Sequence, residues 1–155
     1  MYKRTWNKKY GKSEIFIRED SYCQNVEIDM VRLADGQAKS YYEIDKEFGL
    51  VILGGKCTVE AKDFKYENIG ERETVFDGNA TCVYIPRNTD FTITGVGEVS
   101  IAVTKCPSQN DHKPVLIKPE DTLRSARHSR IIARRWCVRC RARRCRHCFY
   151  DIRIS

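Results

Sequence analysis

The first 121 residues predict an all-β fold, an antiparallel double-sheet jelly roll, followed by an irregular Arg/Cys-rich C-terminal tail. Three observations lead there. Apolar residues recur with period two in short runs. Gly, Pro, Asn and Asp separate these runs at close, regular intervals, as in a sandwich or barrel. The composition then changes abruptly after Asp121. A double-sheet jelly roll suits such strands because it leaves few unprotected edges.

Taken in order, Cys23 to Leu33 alternates, with Val26, Ile28 and Met30 expected on one face and Glu27 and Asp29 on the other. Ala34-Asp35-Gly36 supplies turn chemistry. Ser40 to Ile44 reads as a short aromatic strand, and Phe48 to Leu53 as a strand covered on both faces. Gly54-Gly55 is expected to break it before Lys56 to Lys62 resumes, with Cys57, Val59 and Ala61 on one side. Phe64 and Tyr66, Thr74 to Phe76 and Thr81 to Ile85 continue the pattern, with turns at Asp77-Gly78 and Pro86-Arg87-Asn88. Phe91 to Thr94 and Val99 to Val103 finish it, separated by Gly95-Val96-Gly97, and Val115 to Ile117 pairs last.

The formal charge of +7 conceals two populations. Residues 1–121 hold 17 Lys+Arg and 20 Asp+Glu, a balance of −3, whereas residues 122–155 hold 11 Arg and a single acid, Asp151, a balance of +10. The body uses 12 Lys to 5 Arg, and the tail has no Lys. The domains are accordingly placed at 1–121 and 122–155. The longest aliphatic run, Leu50 to Leu53, is too short to span a bilayer, and Met1 to Ser13 is polar and basic. No targeting segment is read, so a cytoplasmic protein with no membrane partner is expected. Eight cysteines without an export signal read as reduced thiols. Cys23, Cys57, Cys82 and Cys106 stand singly in apolar surroundings, as small core residues do.

Several ordered stretches of the body share a further character. They are Arg32-Leu-Ala-Asp-Gly36, Gly49-Leu-Val-Ile-Leu-Gly-Gly-Lys-Cys-Thr-Val59, Glu67-Asn-Ile-Gly-Glu-Arg-Glu-Thr-Val-Phe-Asp-Gly78, Tyr84-Ile-Pro-Arg-Asn-Thr-Asp-Phe-Thr-Ile93 and Leu116-Ile-Lys-Pro-Glu-Asp121. The set resembles the front half of the 5-deoxy-glucuronate isomerase family of bacterial inositol catabolism. The resemblance covers roughly residues 15–121, and E-N-I-G-E-R-x-x-V-F is its most specific run. It implies a cupin-type jelly roll and a bicupin whose second half carries a divalent metal. It also implies an aldose–ketose isomerisation of a sugar acid, 5-deoxy-glucuronate to 5-dehydro-2-deoxy-gluconate. A Lewis-acidic metal would stabilise the enediolate of that reaction.

The residues themselves argue against a metal in this half. A cupin metal site needs converging His ligands, commonly with a carboxylate, and residues 1–111 contain no histidine. Where a metal-binding cupin would show P-x-G-x-x-H, this chain has Pro86-Arg87-Asn88-Thr89-Asp90-Phe91, with Phe91 at the ligand position and expected in the core. His112, His128 and His147 lie outside the strand region. Glu67, Glu71 and Glu73 could serve acid–base chemistry, but alternate polar residues near a turn read as a solvated face. Arg72 could pair a substrate carboxylate through its planar fork, though a structural ion pair is the expected role. No catalytic, cofactor-binding or metal-binding residue is therefore assigned, and this half is expected to be inactive alone. Its expected partners are a sugar-acid substrate, by family, and a second copy docked on the face left uncovered by a missing second cupin.

The tail carries Cys137-Val-Arg-Cys140 and Cys145-Arg-His-Cys148. Paired C-x2-C motifs suggest zinc, but only Arg141 to Arg144 separate them, a short link for two knuckles around one ion. Iron–sulfur spacing is not matched. Arg runs with Trp136, Phe149 and Tyr150 would bind phosphate and stack on bases, yet nucleic acid is not the expected partner. The favoured expectation is a disordered or frameshift-derived segment, since a GC-rich frame read out of phase yields Arg and Cys and loses Lys. Besides the isomerase relation, two readings stay open: a non-enzymatic cupin binding module, and a metal- or nucleic-acid-binding protein acting through the tail.

Overall fold

The computed structural model describes residues 10–16 and 25–122. By compactness the chain divides into Met1–Thr122 and Leu123–Ser155, and the described residues all belong to the first unit. Cys23, His128, His147 and the four tail cysteines lie outside them.

Eight strands follow one another: β1 (Gly11–Phe16), β2 (Glu27–Leu33), β3 (Ala38–Tyr41), β4 (Lys46–Ala61), β5 (Phe64–Ile69), β6 (Cys82–Ile85), β7 (Phe91–Pro107) and β8 (Val115–Ile117). A 3₁₀ turn at Pro119–Asp121 closes the described chain. All pairings are antiparallel, in the order β1-β2-β7-β4-β6-β8, with β3 on β7 and β5 on β4. The two long strands pair along their whole length, from Lys46↔Pro107 to Ala61↔Phe91. At one end they carry β1, β2, β6 and β8, and at the other β3 and β5. This is the double-sheet arrangement that the periodicity predicts. β4 and β7 pass from one sheet to the other.

The glycines expected to end strands instead bend them. In β4 the inward residues are Phe48, Leu50 and Ile52 before Gly54-Gly55, and Cys57 and Val59 after it. The inward set moves from even to odd positions because bulges shift the register between Ile52 and Lys56. Gly55 has φ +85°, and an added Cβ would strike the Glu98 carbonyl, so this crossing needs glycine. Gly95-Val96-Gly97 likewise lies within β7, where exposed residues 96–98 separate two buried halves.

Other expectations change as well. Phe48 to Leu53 alternates between buried and half-buried positions and is not covered on both faces. Thr74 to Phe76 is a turn, its backbone bonded within the loop, with Thr74 N–H donating to Asp77 Oδ2 and Arg72 donating to the Val75 carbonyl. The strand expected at Ser40 to Ile44 lies earlier, as β3 at Ala38–Tyr41, with Tyr41 buried and Tyr42 and Ile44 exposed beyond its end. β1 lies before the first expected strand. The largest fully buried side chains are Phe48, Phe91, Leu33, Leu50 and the isoleucines Ile52, Ile85, Ile93 and Ile101. Each such burial contributes about 1.5–3 kcal/mol, enough to hold two sheets face to face.

Candidate functional site

In β2 the buried positions are Asp29, Val31 and Leu33, while Ile28 and Met30 lie half-buried on the opposite face. This reverses the expectation for that strand and brings Asp29 inside, 1% exposed. The signal was present in Val31 and Leu33, which share its parity. The other reading followed Val26, Ile28 and Met30. Register then sets neighbours across the sheet. Glu27 stands opposite Lys105, which stands opposite Phe48, which stands opposite Ile85. One layer further in, Asp29, Val103, Leu50 and Val83 line up in the same way.

A buried ionic network results at this end of the barrel. Lys105 Nζ lies 3.3 Å from Asp29 Oδ2 and 3.4 Å from Glu27 Oε2, and Lys12 Nζ also lies 3.3 Å from Asp29 Oδ2. Lys46 pairs with Glu27 at 3.1 Å and with Glu43 at 3.8 Å. Three lysines thus face three carboxylates. Burial alone would raise the Glu27 carboxyl, but the hydrogen bond and charge of Lys46, aided by Lys105, hold it below the usual range. Burial would likewise lower Lys46, yet Glu27, Glu43 and Asp45 together raise it. Lone charges this deep would be strongly penalised, so the pairing is what permits them.

Aromatic rings fill the space beside the network. Tyr41 stacks on Phe91 at 5.6 Å between centroids, and Phe48 meets Phe91 edge-on at 4.9 Å and Tyr41 at 5.8 Å. Register dictates this cluster, since Phe91 faces Tyr41 on β3 and Ala61 on β4. The Tyr41 hydroxyl is buried without a hydrogen-bond partner, and burial followed by the nearby Asp29 charge pushes its pKa up. The loops close the same end, with Asn88 N–H donating to the Glu43 carbonyl and Tyr42 O–H to Asn88 Oδ1.

A divalent metal does not fit these residues. Phe91, at the position where a metal-binding cupin would carry His, is 1% exposed in the core, as expected. The carboxylates at the barrel end are engaged by lysines, and no group of three or more His, Cys, Asp or Glu suited to a metal occurs among the described residues. His112 is half-buried beside Tyr84, with ring centroids 6.3 Å apart. The thiols of Cys57 and Cys82 are pushed up to about 12, and that of Cys106 to about 11, in each case mainly by burial. All three stay protonated at neutral pH, as core cysteines do.

The carboxylates of the Glu67–Phe76 run behave as a solvated face. Glu67 pairs with Lys65 at 2.7 Å on the surface, and Glu71 and Glu73 are exposed. Among the described residues Arg72 is not in an ion pair; it bonds backbone carbonyls instead. Its guanidinium donates to the Ile52 carbonyl at 3.0 and 3.2 Å and to the Gly78 carbonyl at 3.1 Å, tying the 70–78 loop to the bend in β4. The remaining prominent feature is a groove of about 480 Å³ on the outer sheet face, floored by Met30, Leu53 and Ser100 and walled by Glu73, Thr74 and Val75. Among the described residues no helix is long and apolar enough to cross a membrane.

Comparisons with known proteins agree with this architecture. The model of the KduI/IolB family matches residues 4–140. The chain is similar to the 5-deoxy-glucuronate isomerase of Bacillus licheniformis, 35% identical over 105 residues that cover 67% of this chain and 39% of the relative. It is also similar to that of Shouchella clausii, 35% identical over 119 residues, covering 73% and 44%. An IolB-like protein from Salmonella typhimurium superposes with a TM-score of 0.72 at 25% identity, covering 76% of this chain and 45% of that one. A cupin protein from Bacteroides fragilis, TM-score 0.51 at 13% identity, shares the fold. The chain spans about two fifths of the length of the curated relatives it matches. With a cupin jelly roll, the expected ordered motifs and these matches together, the chain belongs to the KduI/IolB family.

Proposed function

We propose that this chain is the non-catalytic, N-terminal cupin of a 5-deoxy-glucuronate isomerase-type protein, a scaffold half that does not turn over sugar acid alone. The observation that carries this reading is the filled end of its barrel. Aldose–ketose isomerisation needs a base beside the substrate carbon and an electrophile at the developing enediolate. Here Tyr41, Phe48 and Phe91 occupy that space, and each carboxylate is bound to a lysine. The divalent metal belongs, on this reading, to the portion of the relatives that this chain does not match. The sugar acid is the substrate of the whole two-cupin assembly, which works in the cytoplasm. This chain associates with itself through the sheet face that a second cupin would cover, and takes neither membrane nor nucleic acid as a partner.

The domain boundary at residue 121 and the frameshift origin of the tail belong to the same proposal. A family match that continues to residue 140 weighs against a change of frame at codon 121. The coding DNA decides between them: a His-containing second cupin in another frame supports the frameshift, and its absence removes it. The functional reading is tested by assaying the purified chain on 5-deoxy-glucuronate with and without Mn²⁺ or Zn²⁺. No turnover above buffer is expected, and metal-dependent turnover would overturn the proposal.

A further inference from the structure

We infer that the end of this barrel is a monovalent-cation site, formed by Glu27, Asp29 and Glu43, in which the ammonium of Lys105 is the resident ion. Missing histidines account for the poor fit of a metal, but not for a lysine enclosed among carboxylates and only 8% exposed. Lys105 Nζ lies 3.3 Å from Asp29 Oδ2, 3.4 Å from Glu27 Oε2 and 3.9 Å from Glu43 Oε1. Glu27 and Asp29 come from β2, Glu43 from the β3–β4 connection and the lysine from β7. Each separation exceeds the about 2.7–2.9 Å of a direct ammonium–carboxylate hydrogen bond. One ammonium is thus shared among three acceptors, as an ion is by its ligands. Among the described residues, Asp29 Oδ2 and the hydroxyl of buried Tyr41 are enclosed without a hydrogen bond. Both oxygens retain lone pairs for a donor cation.

Charge balance selects the valence. Among the described residues Lys12, Lys46 and Lys105 face Glu27, Asp29 and Glu43, three against three. Without Lys105 one enclosed negative charge is in excess. A monovalent cation cancels it, whereas a divalent metal overshoots. Metal–oxygen bonds of about 2.0–2.6 Å would also draw the carboxylates closer than any of them stands to Nζ. The class of ion that matches is therefore a primary ammonium, with one charge and three N–H donors to divide among the oxygens. In the native chain that ion is tethered, and the site is filled as soon as β2 docks on β7.

The test is chemical rescue of the whole chain in reducing buffer, read by urea unfolding at constant ionic strength. Lys105→Ala removes Cγ to Nζ, the four atoms that n-propylammonium supplies. At about 100 mM this ion is expected to lower the unfolding constant of the variant about tenfold relative to sodium, as for a dissociation constant of about 10 mM. Wild type, whose site is occupied, is expected to show no such change. Tetramethylammonium carries the charge without an N–H, and 1-propanol has the shape without the charge; neither is expected to rescue. No rescue by n-propylammonium overturns the site. Equal rescue by 1-propanol reduces the effect to cavity filling, and equal rescue by tetramethylammonium reduces it to screening; either result also overturns the site. Stronger stabilisation by Mn²⁺ than by n-propylammonium overturns the monovalent assignment. Should Lys105→Ala fail to fold, Lys105→Met keeps the stem, and ammonium ion is then the probe, expected to stabilise where sodium and tetramethylammonium do not. The readout is folding and not turnover, so the result is independent of the isomerase assay.

Discussion

Lys105 reaches across from β7 to Asp29 on β2, Nζ to Oδ2 3.3 Å, with side chains only 9% and 2% exposed. Lys105 also stands directly opposite Phe48 of the aromatic cluster, and it gives this barrel an internal cation among its carboxylates.

Replacing that cation exposes its role. In Lys105→Met, among the described residues, Asp29 keeps Lys12 as its ion-pair partner and Glu27 keeps Lys46. Breaking one side of a buried pair costs about 3–5 kcal/mol when nothing else compensates. With Lys12 remaining, a loss of about 2–3 kcal/mol is expected from urea unfolding. The double variant Lys105→Met with Asp29→Asn should recover part of it, since no charge is then stranded. A single variant as stable as wild type would refute the network's contribution.

Acid sensitivity follows from Glu27. Its folded pKa lies below its unfolded one, so the stabilisation is fully present above the ordinary glutamate value of about 4.3 and is lost as pH falls through the folded value. Lys46 acts at the other limb: its folded pKa is raised, so its contribution holds below about 10.4 and fades as pH rises through the folded value. Urea midpoints measured from pH 3 to 7 should fall more steeply toward acid for wild type than for Glu27→Gln. Parallel curves would show that Glu27 is not responsible.

Arg72→Lys separates loop anchoring from substrate binding. Lysine keeps the charge but cannot span the Ile52 and Gly78 carbonyls as the planar fork does. A loss of about 1–2 kcal/mol is expected. Faster amide exchange should appear at Gly55, whose N–H donates to the Arg72 carbonyl at 3.0 Å. Unchanged exchange there would remove the anchoring role.

Much of this molecule is legible in its residues. Period-two alternation names most of the strands, the strand region before His112 is written without histidine, and Phe91 is a core residue on either view. Other features depend on pairing between distant segments. A sequence shows Gly54-Gly55 as an interruption, and only hydrogen bonding to β7 on both sides makes it a bend within one strand that changes which parity faces inward. Asp29 looks outward until β2 is docked on β7. The docking register selects Val31 and Leu33 for the core and takes the carboxylate with them, because side chains two residues apart share a face. Composition and periodicity therefore decided that this chain forms a β jelly roll. Tertiary register alone decided which charges are enclosed, since facing direction is a property of a paired strand and not of a strand in isolation.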